Sequence, residues 1–114
     1  TWLIDHGASF YFHHAMSDHI KASATPFPII KDHALLGKAN KIEQADELMR
    51  ARLTPERLEA IVDLVPDTWL TSEEQAGISP SQMRDIYKDF LLRRLDNSDI
   101  FLKQAIDEHR KKLI

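Results

Sequence analysis

From Ala39 onward, apolar side chains return every three or four residues, and each such run is opened or closed by a proline or a capping residue. That punctuation leaves this part of the chain little to become except a packed set of helices. Ile42, Ala45, Leu48, Met49 and Leu53 make one stripe, which predicts a helix over roughly Ala39 to Leu53 with the stripe buried. Thr54-Pro55 joins an N-cap to a proline at the first helical position, so the next helix runs to about Leu64 with Leu58, Ile61, Val62 and Val65 inward. Pro66 stops it, and Asp67-Thr68-Trp69-Leu70 reads as a turn that drops Trp69 onto the core. Ser79-Pro80-Ser81-Gln82 carries serine at the cap, proline first and glutamine third, a capping box. Behind it Met83, Ile86, Tyr87, Phe90, Leu91 and Leu95 share a side. Asn97-Ser98 interrupts, and Ser98 is expected to cap a last helix with Phe101, Leu102, Ala105, Ile106 and Leu113 inward.

The earlier residues are less regular. Trp2-Leu3-Ile4 reads as a short buried strand, and Gly7 marks a sharp change of direction. Over Ala8 to His19, Phe10 and Phe12 alternate as on a strand, while Phe10, His13 and His14 share a helical face, and both readings stand. Thr25-Pro26-Phe27-Pro28 forces an extended passage, because each proline restricts the residue before it. A second apolar stretch, Ile29 to Leu36, ends at Gly37. The expected fold is mainly α: one helical domain over residues 1–114, with a short N-terminal strand or irregular segment ahead of a helical bundle.

Fifteen basic and eighteen acidic side chains are well mixed and leave a net charge of -3, which argues against a nucleic-acid surface. Arg110-Lys111-Lys112 is the one basic run, placed at a helix end where cations complement the dipole. The chain has no cysteine, which excludes disulfides, thiolate metal sites and cysteine nucleophiles, and fits a cytoplasmic location. No apolar run approaches a membrane span. The three glycines, Gly7, Gly37 and Gly77, cannot build a phosphate-cradling loop.

Residues able to carry chemistry concentrate before position 34: Asp5, His6, His13, His14, Asp18, His19 and His33. Their spacing suits a metallohydrolase poorly. No His-Glu-x-x-His occurs, and adjacent His13 and His14 point to different faces of a helix or a strand. Ordinary hydrogen-bonded or surface histidines are the expectation, with His6 fixing the turn. Ser79 and Ser98 are accounted for by capping, and Trp69 and Tyr87 by core packing rather than a ligand pocket. Asp5 stands apart. An acid at a strand end just before a glycine turn occupies the place where kinases hold the aspartate that binds catalytic magnesium.

The run from Trp2 through Ile4, Asp5-His6-Gly7 and Phe10-Tyr11-Phe12 to His13-His14 resembles the magnesium-binding segment of HipA-like kinases. This bacterial branch has a C-terminal lobe similar to that of phosphoinositide and protein kinases. A looser likeness continues through Ile30-Lys31-Asp32-His33, Leu53-Thr54-Pro55, Val65-Pro66-Asp67-Thr68-Trp69 and the Tyr87 to Leu95 stretch. The resemblance implies that Asp5 chelates Mg2+ between the phosphates of ATP in the intact enzyme. His6-Gly7 would stand beside it in place of Phe-Gly, without the aromatic packing switch. It also implies that the nucleotide-binding lobe, the phosphate-anchoring lysine and the catalytic loop precede Trp2. The chain is then expected to be the C-terminal portion of a kinase, with no catalytic residue of its own and no Mg-ATP binding in isolation. The alternative is a non-catalytic helical module that binds a partner protein. In either case the free edge of Trp2 to Ile4 is expected to fray, pack on the helices, or pair with a partner or a second copy. Neither nucleic acid nor membrane is expected as a partner.

Overall fold

The capping signals translate directly into helices. In the computed structural model, which describes residues 18–71 and 77–113, the chain is mainly helical, with no strand among the described residues. The helices are α1 (His19–Ser23), α2 (Ile42–Arg52), α3 (Pro55–Asp63), α4 (Pro80–Asp96) and α5 (Ser98–Lys112). Single 3-10 turns occupy Pro28–Asp32, Leu36–Lys38 and Asp67–Leu70. The expected strand at Trp2 to Ile4, the Gly7 turn and the two readings of Phe10 to His14 lie outside the described residues.

At the head of α3, the Arg57 N–H donates to Thr54 Oγ1 at 3.3 Å, with Pro55 at the first position. At the head of α4 the capping box is reciprocal: the Gln82 N–H reaches Ser79 Oγ at 3.1 Å, and the Ser79 N–H reaches Gln82 Oε1 at 2.9 Å. The turn before it needs Gly77, whose φ of +94° is ground that side chains rarely adopt.

α4 is the axis of the molecule. It packs against α1, α3, α5 and the Asp67–Leu70 turn. The core that results joins Ala22 of α1, Leu70 of the turn, and Met83 and Phe90 of α4, with Val65, Ile78, Ile86, Tyr87 and Leu91 laid against it. Leu58 and Val62, one turn apart on α3, are buried as well. α5 takes up the segment before α2. The Phe27 N–H donates to Gln104 Oε1 at 2.7 Å, and His109 Nδ1 donates to the Leu36 carbonyl at 2.7 Å over a buried Leu36.

Five expectations are corrected. The α2 stripe is not buried: Leu48 and Met49 are about half exposed, because α5 is the helix on which α2 chiefly rests and one neighbour covers only an edge. Ile61 is likewise half exposed, since Leu58 and Val62 already fill the inward side of α3. Trp69 is 77% exposed while Leu70 is 5%; successive side chains of a 3-10 turn diverge by about 120°, so only one of the pair can point in. Leu113 lies past the last helical residue and is exposed. Ser98 does not cap α5: Asn97 holds that position, and the buried Ser98 hydroxyl accepts from the Arg50 guanidinium instead. No helix among the described residues is long and apolar enough to cross a membrane.

Candidate functional site

Asp5, His6, Gly7, His13 and His14 lie outside the described residues, so their geometry carries no part of the description that follows. Asp18 sits exposed at the head of α1 without a side-chain cap bond. His33 is exposed, and its Nδ1 accepts the Leu35 N–H at 3.2 Å, which closes a turn. Among the described residues no group of three or more histidine, aspartate or glutamate side chains could hold a metal ion.

His19 is the sequence candidate that the fold puts to use. α1 is only five residues long, too short to hold itself together in water, so its order comes from what it packs on. At its first residue, His19 Nε2 donates to Asp89 Oδ2 of α4 at 2.7 Å. Arg93 Nε donates to the same oxygen at 2.8 Å, one turn along α4. The Arg93 hydrogen bond, reinforced by that of His19, holds the Asp89 carboxyl below the usual carboxylate range. At the other end of α1, Arg94 Nη1 donates to the carbonyls of Thr25 at 2.7 Å and Ser23 at 3.3 Å, serving a helix C-terminus as a cation does. The same guanidinium lies over the Phe101 ring of α5, 4.3 Å from its centre. Arg94 thus ties three helices at one point.

A histidine, an aspartate and a buried serine within one junction invite comparison with a hydrolytic triad. The hydrogen bonds run otherwise. Ser23 Oγ donates to the Ile20 carbonyl at 2.6 Å, a bond internal to α1, and the His19 nitrogen facing α4 is committed to Asp89. The junction is a fastening, not a nucleophile and base.

Two apolar hollows flank α4. One, of about 320 Å³, lies among Ile61, Val65, Trp69, Leu70, Tyr87 and Leu91. The other, of about 210 Å³, lies among Met49, Leu53, Leu58, Leu91 and Phe101. Leu91 lines both. Trp69 and Tyr87 both border the larger one; Trp69 is exposed rather than in the core role expected of it, whereas Tyr87 also packs against the core. Beside the larger hollow, Arg84 Nη2 donates to the Val65 carbonyl at 2.6 Å and pairs with Asp67, while Lys88 meets Asp63 at 2.7 Å. Burial pushes the Tyr87 phenol up, and its hydroxyl and the Trp69 indole N–H are the polar side-chain groups among the lining residues. The hollow is lined mostly by apolar side chains.

The fastening was not read from the sequence, because its partners are 69 to 71 residues apart. One signal was available. Arg94 follows Phe90 by one turn, between Leu91 and Leu95, and an arginine inside an apolar stripe needs acceptors that the stripe does not supply. Compared with known proteins, the chain matches no family model, no curated protein and no solved structure.

Proposed function

We propose that this chain is the C-terminal lobe portion of a HipA-like ATP-dependent kinase, in which Asp5 is a magnesium ligand with His6 and Gly7 at its turn. The observation that carries the reading is the run from Trp2 to His14, where an acid ends an apolar triplet and a glycine turn follows at once. The mainly helical body built on α4 is consistent with a kinase's C-terminal lobe.

Mg2+ is a hard cation that keeps several waters and takes one or two carboxylates together with substrate phosphates, and the single carboxylate of Asp5 suits it. When bound, Mg-ATP supplies the transferable phosphoryl group and neutralises charge on the phosphates. The work left to this chain is positional: Asp5 holds the ion, Gly7 permits the turn, and the helices give the segment a rigid base. Activation of the acceptor and cradling of the phosphates are assigned to residues outside these 114. On this reading the isolated chain transfers no phosphoryl group.

The test is the gene product that extends upstream of Thr1 in the same frame. It should carry a catalytic-loop aspartate and asparagine shortly before Trp2 and should transfer the γ-phosphoryl of ATP. Asp5→Ala should lower that rate by about 100-fold or more, the scale of losing one electrostatic contact to developing charge. An upstream frame without that pair, or full transfer by the Asp5→Ala enzyme, overturns the reading. A non-catalytic helical module is the second reading, favoured by the exposed Ile61 and Trp69 at the larger hollow and by the exposed Leu64 near them in sequence. The same upstream sequence decides between the two.

A further inference from the structure

The sequence mixes its charges and predicts no membrane partner, but folding gathers five cations at one end of the molecule. His109 Nδ1 donates to the Leu36 carbonyl at 2.7 Å, and a Cβ placed on Gly37 would meet Lys112 Cδ at 3.9 Å. The Leu36–Lys38 turn therefore sits against the last turns of α5. On an adjoining side of α5, Lys41 and Arg110 border one hollow of about 250 Å³ between that helix and the head of α2. Lys38, Lys41, Arg110, Lys111 and Lys112 are all exposed. Against these five stand Glu43 and Glu108, which leaves a local charge of +3 in a chain whose total is -3. Asp107 feels Arg110 but is bonded to Lys103, and that pair leaves the balance unchanged. Glu108 meets Lys111 at 2.7 Å, while Lys38, Lys41, Arg110 and Lys112 enter no salt bridge among the described residues.

The helix dipole accounts for part of this gathering. Arg110, Lys111 and Lys112 suit the C-terminus of α5, but Lys41 is the N-cap residue of α2, the end at which a cation is disfavoured. Like charges are thus brought together at a cost to the fold. Two leucines stand exposed among them, Leu35 (62%) just before the Leu36–Lys38 turn and Leu113 (67%) just past α5. A polyanion such as nucleic acid would satisfy the cations and leave both leucines in water. An anionic bilayer takes both kinds of group: lysine and arginine heads reach the headgroups while apolar side chains enter the acyl boundary.

We infer that the tip at which α5 ends docks on an anionic lipid surface. The inference goes beyond the kinase reading and does not depend on it. At physiological ionic strength the screening length is about 8 Å, so the tip meets the surface as a local positive charge while the acidic remainder of the chain is largely screened. The contact is peripheral, since no helix among the described residues is long and apolar enough to cross the bilayer.

Co-sedimentation of the 114-residue protein with vesicles tests this. The protein should bind vesicles of phosphatidylcholine mixed with phosphatidylserine, should ignore pure phosphatidylcholine, and should be released as sodium chloride rises. Lys38→Gln and Lys41→Gln should each weaken binding about fivefold, the scale of one basic side chain at an anionic surface. Lys21→Gln, on α1, makes the same change in net charge and should leave binding at the parent level. Leu113→Ser should weaken it as well, because a charged tip alone lacks the acyl contact. All four side chains are exposed, so these variants keep the parent's fold. Equal binding to both kinds of vesicle, binding to neither, or a loss in Lys21→Gln as large as in Lys38→Gln overturns the docking face. Polyglutamate bound as tightly as the phosphatidylserine vesicles, with Leu113→Ser without effect on either, overturns the lipid surface in favour of an acidic protein partner.

Discussion

Arg94→Ala removes the side chain at which α1, α4 and α5 meet, and its cost can be worked from the geometry. The 2.7 Å bond to the Thr25 carbonyl is a charged hydrogen bond in a partly buried setting, a class that contributes about 1.5 to 3 kcal/mol. The 3.3 Å contact with the Ser23 carbonyl adds little directly, but the acceptor it serves belongs to a residue that is 1% exposed and loses a donor. The guanidinium over Phe101 contributes about 0.5 to 1 kcal/mol. Together these give a loss of about 3 kcal/mol, or about 12 °C in Tm for a domain near this size. Thermal and urea unfolding followed by circular dichroism at 222 nm would measure it. Arg94→Lys should recover less than half, because a point ammonium cannot lie flat on the ring and span two carbonyls together. A loss below about 1 kcal/mol in Arg94→Ala, or a lysine variant as stable as the parent, would refute the assignment of Arg94 as a three-way tie.

Other perturbations have defined outcomes. Ser79→Ala removes the Oγ acceptor of the Gln82 N–H while leaving the backbone half of the capping box in place, and should lower stability by about 1 kcal/mol in urea; no change would mean that the proline alone sets the helix start. Gly77→Ala meets no atom within 4 Å, so its cost is backbone strain at φ +94°, again about 1 kcal/mol, and a neutral result would contradict that conformation. Asp89 and Asp107 are held below their ordinary value of 3.8, Asp89 chiefly by Arg93 and Asp107 chiefly by Lys103. Their folded pKa values are depressed, so the stability they contribute is complete above that value and is lost as pH falls through the folded values. The urea midpoint should drop below about pH 4, and less steeply in Asp89→Asn.

The helices were legible in the sequence because their signals are local. Thr54-Pro55 and Ser79-Pro80-Ser81-Gln82 place a cap, a proline and a periodic run within a few residues, and α3 and α4 begin where those signals stand. Burial was legible only in part. A stripe shows which side of a helix could be covered, not whether a neighbour arrives to cover it, and on α2 coverage stops at an edge. Trp69 and Leu70 are equally apolar neighbours, and only the path of the turn decided between them. Ser98 shows a competing use of one residue type: a serine beside a helix start usually caps, but here Arg50 claims it from another helix. The junction at His19, Asp89 and Arg94 depends on residues that sequence separation hides. The segment resembling a kinase's magnesium site rests on residues 2–14, which the described structure does not include.

The span of the α1 fastenings also bears on the order in which the molecule assembles. α4 and α5 are consecutive, joined through Asn97 alone, and meet at little entropic cost. The His19–Asp89 and Arg94–Thr25 bonds each close a loop of about 70 residues, and that closure gains nothing until α4 exists as a surface to land on. The expected order is therefore that α1 docks after the rate-limiting barrier. Substitutions at His19 should leave the refolding rate unchanged and appear almost wholly as faster unfolding, so the fastening acts as a brake on opening.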